Sequence, residues 1–300
     1  MVTTMLSLDS SIVKERLYRL IGRTRQSYCK AKEREIQMIS VENEVLEEVR
    51  KWRRHHPKMG SRQTFFSLKE SGVEVPMGVT NFEKLLSRAK MTVGQARRSN
   101  PKTSDGKGGR SYPNLTNGLI INDINQLVVA DITYFWVVEK WYYLFTLKDV
   151  YSQRLISLIP SDNLEAVNAE ATLKELSELR GKRNLKGCIH HSDNGSQYGA
   201  DDFLTRLARM KMQISRAEEC KQNGSSEQLN HIIKNMYLKH MGINSMESLK
   251  KTCKKVKRIM NTERTIHQLG NITVEKFEAM IRMLPADKRP VKQMHDFTKS

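Results

Sequence analysis

The chain has 300 residues, 38% apolar and 28% charged, with 51 Lys/Arg against 33 Asp/Glu and a formal net charge of +18. That length allows one sizeable core with smaller modules around it. The charge points to a polyanionic partner, nucleic acid first among them. No apolar run approaches the ~20 residues of a membrane span, and the N-terminus lacks the apolar stretch of a signal peptide, so the expectation is a cytoplasmic chain with no membrane partner.

The charge is unevenly placed. Residues 1–110 carry 23 Lys/Arg against 12 Asp/Glu (net +11), 111–240 carry 15 against 15 (net zero), and 241–300 carry 13 against 6 (net +7). A neutral centre between two basic arms suggests binding modules around a core that keeps its own carboxylates. Cys29, Cys188, Cys220 and Cys253 are scattered without zinc or redox spacing, which fits a reducing compartment.

Along the chain, Ile12, Leu17, Leu20 and Ile21 form a helical stripe that Gly22 interrupts before a polar, basic second helix. This is a helix-turn-helix pattern, predicted over 1–39, and Arg23, Arg25 and Gln26 are its candidate DNA contacts. A second helical module is predicted over 40–98. It has an amphipathic helix with Val45, Leu46, Val49 and Trp52, a stop at His55-His56-Pro57-Lys58-Met59-Gly60, and two further helices. The paired histidines read as surface or capping residues, because no cysteine pair accompanies them. The module ends in Arg97 and Arg98, also candidate DNA contacts, and a Ser/Gly/Lys-rich linker is predicted over 99–120.

From 121 the period changes. Runs at 127–138 and 141–147 read as a hairpin, 154–159 as a third strand, then a helix to about 180, a fourth strand near 186–191, a helix near 200–210, a strand at 211–216 and a long helix at 224–240. This is an α/β core with a mixed five-stranded sheet covered by helices. It is expected to run over 121–285 with a C-terminal helical extension, followed by a basic tail at 286–300.

Three acids stand out in that core. Asp131 interrupts an apolar strand, where an unpaired carboxylate is costly. Asp193 lies where a strand releases into Asn194-Gly195, the kind of strand end at which α/β sites assemble. Glu227 begins the last helix, and Asn223, Glu227, Asn230 and Lys234 share one face. Singly, each acid also reads as a turn or surface residue. Together they make hard oxygen donors that would repel without a cation between them, which selects Mg²⁺ or Mn²⁺.

These residues carry a resemblance. Asp131-Ile132-Thr133-Tyr134, Lys148-Asp149-Val150-Tyr151-Ser152-Gln153-Arg154, His190-His191-Ser192-Asp193-Asn194-Gly195-Ser196-Gln197-Tyr198 and Asn223 to Glu227 resemble the integrase core of bacterial insertion-sequence transposases. More narrowly, the chain resembles the second-frame product of insertion-sequence family three, along nearly its whole length. The resemblance implies a ribonuclease-H-like integrase core preceded by small all-α helix-turn-helix modules. It also implies an Asp131–Asp193–Glu227 triad holding two Mg²⁺ or Mn²⁺ ions, with Lys234 and Asn223 placed to touch DNA. Implied too are terminal inverted repeats and target DNA as partners, a homo-oligomer, and an upstream-frame helix-turn-helix product as partner or fusion. Two departures stand out: the 33 residues between Asp193 and Glu227 are two fewer than this family's usual spacing, and Val128 replaces a usual Trp.

The implied activity is metal-dependent nicking of transposon ends and transfer of the 3′-hydroxyl into target DNA, a polynucleotidyl transferase reaction. The alternatives are a hydrolase of RNA–DNA hybrids, and a catalytically silent or domesticated transposase that only binds DNA.

Overall fold

The computed structural model describes Tyr18, Leu20 and residues 22–94, 112–217 and 224–297. Arg97, Arg98, Asn223, the first half of the predicted helix-turn-helix and most of the predicted linker lie outside these residues. Gly22, in the left-handed region (φ 64°), makes the turn before α1 (Arg25–Arg53). Thr24 caps α1, its hydroxyl accepting from Ser27 N at 3.1 Å. Between Thr24 and Pro57 there is no glycine or proline, and Lys, Arg, Glu and Gln dominate. Helix formation therefore propagates straight through 39/40, where two modules were expected to meet. Only Val45, Leu46 and Val49 of α1 are buried, and Ile36, Met38 and Ile39 lie exposed along its free portion.

The buried end of α1 packs with α2 (Ser61–Glu70) and α3 (Val79–Arg88) around Phe65, Leu68, Phe82, Leu85 and Leu86. His56, in the turn that ends α1, is buried rather than on the surface. Its Nδ1 lies 3.0 Å from the Tyr237 hydroxyl and its Nε2 lies 3.2 Å from Glu263 Oε2. Burial pushes its pKa down to about 4 against the pull of Glu263, so it is neutral at pH 7. Gln63 donates to Thr265 O at 2.6 Å, and Ser67 and Thr265 hydroxyls pair at 3.0 Å. These contacts dock the helical module on the core. Tyr237→Phe would strand a buried ring nitrogen of His56, and the expected cost is about 1–3 kcal/mol in denaturant titration; an unchanged midpoint would show that the docking rests on packing alone.

The core opens with β1 (Ile120–Ile121), followed by β2 (Leu127–Val137), β3 (Lys140–Asp149) and β4 (Leu155–Ser161). Then come α4 (Ala166–Arg180), β5 (Ile189–Ser192), α5 (Asp201–Arg209), β6 (Gln213–Arg216) and α6 (Gly224–Ile232). The main sheet has the order β4-β3-β2-β5-β6. Its first three strands are antiparallel neighbours, while β5 and β6 run parallel to β2. This mixed five-stranded sheet covered by helices is the ribonuclease-H-like integrase core expected from the sequence.

Strand alternation divides the buried residues. Val128, Ala130, Phe145 and Leu147 face α4 and α5, packing on Leu173, Leu176, Phe203 and Leu207. Phe135, Val137, Leu144 and Leu158 face α6 and α7 (Met246–Thr262), with Leu229, Ile233, Leu249 and Val256. A third cluster joins Leu127, Val129, Val150 and Tyr151 to Phe277 and Ile281 of α8 (Val274–Met283). Between α7 and α8 the chain makes the short hairpin β7 (Thr265–Ile266) and β8 (Ile272–Thr273). The C-terminal segment returns to the core, where β9 (Lys292–Gln293) pairs antiparallel with β1 and Arg289 meets Asp123.

Candidate active site

The register of the sheet places the two aspartates. In the parallel β2–β5 pair, Val129 stands opposite His191. Two residues farther along each chain come Asp131, still within β2, and Asp193, just past the end of β5. Period-two alternation then puts both on one side of the sheet, the side that receives α6. Asp193 closes a small turn: Gly195 N donates to its Oδ1 at 3.0 Å. A Cβ at 195 would come to 3.0 Å from that oxygen and 3.1 Å from Gln197 Oε1, so a larger residue would press on the turn and shift these side chains by a few tenths of an ångström. Beneath the turn, buried Arg216 donates to Asp193 O at 3.0 Å and to Ser192 Oγ and Tyr198 O.

Helix α6 supplies the other groups. Glu227 lies in its first turn, where the helix dipole favours an anion, and its side chain is exposed. One turn on, Asn230 Nδ2 donates to Asp131 Oδ2 at 2.6 Å. Another turn on, Lys234 Nζ donates to Thr133 Oγ1 at 2.7 Å and to Tyr134 O at 3.4 Å. The face read from the sequence thus steps along β2. Thr146 Oγ1 of β3 donates to Asp131 O at 3.1 Å. Asn230 and Thr146 complete the setting. Sequence reading placed Asn230 on the right face without giving it a role, and nothing local marked Thr146.

The Asp131 carboxyl is pushed up to about 7. Burial is the main cause, and the charges of Asp193 and Glu227 add to it. Asp193 at the end of β5 and Glu227 on α6 are therefore near enough for their charges to act on Asp131 of β2, and Lys234 acts in the opposite sense. The three acids do not close into a ready-made cage: among the described residues no group of three His, Cys, Asp or Glu is close enough together to hold a metal ion. Arg23, Arg25 and Gln26 lie exposed at the start of α1, and no described side-chain hydrogen bond or ion pair links them to the acids. No described helix is long and apolar enough to cross a membrane.

Residues 122–220 match the integrase core domain family. The chain is 30% identical over 232 residues to the insertion element IS600 uncharacterized 31 kDa protein of Shigella sonnei, covering 76% of this chain and 84% of that one. It is 28% identical over 165 residues to the putative transposase of insertion sequence element IS986/IS6110 of Mycobacterium tuberculosis, covering 52% of this chain and 57% of the other. Among solved structures, a simian T-cell lymphotropic virus intasome in complex with a PP2A regulatory subunit matches with a TM-score of 0.48 at 15% identity, over 77% of each chain. The HTLV-2 integrase catalytic core domain in complex with magnesium matches with a TM-score of 0.42 at 17% identity, over 52% of this chain and 97% of that one.

Proposed function

This chain belongs to the integrase-core family of insertion-element transposases, and we propose that it nicks the ends of its element and joins the freed 3′-hydroxyl to a target strand. What supports this reading is placement: Asp131 in β2 and Asp193 just past the end of the adjacent parallel strand β5 lie on the sheet face that receives α6, and α6, which carries Glu227 in its first turn, is bonded to Asp131 through Asn230. A site that concentrates carboxylates beside a buried one is suited to a hard divalent cation, and its donors are all oxygen. Asp131, Asp193 and Glu227 would hold two Mg²⁺ or Mn²⁺ ions. Bound there, the ions would activate the attacking water or hydroxyl and neutralise the leaving oxygen.

The surrounding residues have their own tasks. Asn230 engages one oxygen of Asp131, so that the carboxylate is oriented before substrate arrives. Gly195 N does the same for Asp193. Lys234, held by Thr133, brings positive charge to the rim, where a DNA phosphate would pass. The candidate contacts Asn223, Arg23, Arg25, Gln26, Arg97 and Arg98 extend this role to the arms. Two element ends must be paired in the reaction, so the working form is a homo-oligomer.

The test is incubation of the chain with duplex DNA bearing the element's terminal repeat and Mg²⁺. Nicked and joined products are expected from the wild type. Equal products from Asp193→Asn would refute the assignment. Binding of the same duplex should weaken steeply with salt, by roughly 10³ between about 50 and about 200 mM if about six phosphates are neutralised. A flat salt response in fluorescence anisotropy would remove the arms from DNA binding.

A further inference from the structure

We propose that Lys148 is a positioning residue for the helix that carries Glu227, acting through Ser225. The inference rests on the reading of Glu227 as the third catalytic acid. Lys148 Nζ donates to Ser225 Oγ at 2.7 Å and to Ser225 O at 3.1 Å, and its third oxygen neighbour is Gln153 Oε1 at 3.3 Å. Burial, and then the charges of Lys292 and Arg264, push the pKa of Lys148 down to about 7; in the ammonium form it has three protons to donate, and these oxygens take all of them.

The route to this arrangement starts in β3. Thr146 and Lys148 share the sheet face that receives α6, and they meet it in order, Lys148 at Ser225 and Thr146 at Asn230. The β3–β4 register slips between Leu147 and Lys148, so the strand is irregular where the lysine leaves it. Gln153, itself at φ 61° and donating to Val150 O at 2.6 Å, is fixed by the following turn. Lys148 therefore ties the β3–β4 turn to the first turn of α6.

Two features separate this from packing. Lys148 is almost fully buried, yet its three bonded partners are neutral oxygens. A cation at a helix N-terminus also meets the unfavourable end of the dipole, so whatever this contact adds to the first turn comes from its hydrogen bonds and not from its charge. What it serves is placement. No described hydrogen bond or ion pair holds the Glu227 carboxylate, so its position is that of its backbone, two residues beyond Ser225.

The experiment uses Lys148→Met, Ser225→Ala and the double variant in the full chain, with Glu227→Gln as reference. Hydrogen exchange of amides 224–232 should speed up by about 10-fold in Lys148→Met and by about 3-fold in Ser225→Ala, with β2 and β3 unchanged. The double variant should match Lys148→Met, because both act on one contact. In end joining, kcat should fall by about 10-fold or more while KM for the DNA end stays within about 2-fold. Unchanged exchange in 224–232 overturns the inference whatever the activity. Faster exchange with wild-type kcat, while Glu227→Gln is inactive, overturns the positioning role and leaves the active-site reading intact. A wild type that never joins ends overturns both.

Discussion

Asp131→Asn is expected to abolish end joining, by about 10³-fold or more, while raising thermal stability at pH 8 in the absence of divalent ions. The loss follows from removing charge where several kcal/mol of cation-derived stabilisation is needed, each 1.36 kcal/mol being about tenfold in rate. The gain follows from linkage. The Asp131 carboxyl is raised to about 7 in the fold, chiefly by burial and then by Asp193 and Glu227, against 3.8 unperturbed. The folded state therefore holds a proton that the unfolded chain has lost. Stability falls as pH rises between those two values, and the full cost stands above about 7. A shift of that size caps the cost at about 4 kcal/mol.

Asparagine keeps the shape and can still accept from Asn230, yet it carries no charge. An increase of several degrees in Tm is expected at pH 8, shrinking towards pH 4. Mg²⁺ should raise the Tm of the wild type and leave the variant unmoved. A variant less stable than wild type at pH 8 would mean that Asp131 is held by contacts stronger than its repulsion. The expected gain in the variant would mean instead that activity is placed here at the expense of stability.

Glu278→Gln is expected to destabilise the chain by about 3–5 kcal/mol at pH 7, measured by urea denaturation, because it leaves buried cations without a counter-charge. Glu278 of α8 takes two bonds from Arg180 at 2.8 and 2.5 Å, an ion pair from Arg154 at 2.9 Å, and lies 2.7 Å from Ser152 Oγ. Burial alone would push its carboxyl up, but Arg180 and then Arg154 outweigh this and hold it at about 2, below the usual 4.5. The stabilisation is therefore present above about 4.5 and lost as pH falls from there towards 2. The variant's acid unfolding should lack that component. Arg282 reaches the same carboxylate from the exposed side at 3.6 Å, and Arg282→Ala should cost almost nothing. Comparable losses from both substitutions would show that the buried network is not what ties α8 to the core.

This network also explains the stretch Lys148 to Arg154, which the sequence singled out by resemblance alone. Asp149 accepts from Asn125 N at 2.8 Å and Ser152 N at 2.9 Å, and burial raises its carboxyl. Ser152 and Arg154 reach Glu278, and Tyr151 donates to Pro290 O at 2.8 Å. Most of the motif is thus a keystone between the sheet and the C-terminal helix. Lys148 alone turns towards α6.

The elements of the core were legible because strands 127–137, 140–149 and 155–161 announce themselves through apolar, β-branched and aromatic runs. Asp131 and Asp193 stood out as candidates because a charged residue inside such a run, or at its end, breaks the pattern, and Glu227 by the polar helix face it shares. Helical period put Asn230 and Lys234 on the face of Glu227 before any contact was known. The length of α1 was not legible, because its apolar stripe appears only at the end that packs, and an exposed helix of good formers has no period to read. The burial of His56 was hidden for another reason: its partners Tyr237 and Glu263 lie far along the chain.

The sequence alone therefore determined which core elements form and which acids break their apolar runs, and its summed charge is what points to a polyanion. These follow from local period, local composition and summed charge. The tertiary structure alone decided that β2 and β5 run parallel in a register that brings Asp131 beside Asp193. It also decided that α6 is pinned by Lys148, that the helical module docks through His56, and that α8 is locked by buried charge. Each of these depends on residues roughly 60 to 210 positions apart coming into contact, and no local pattern carries that information.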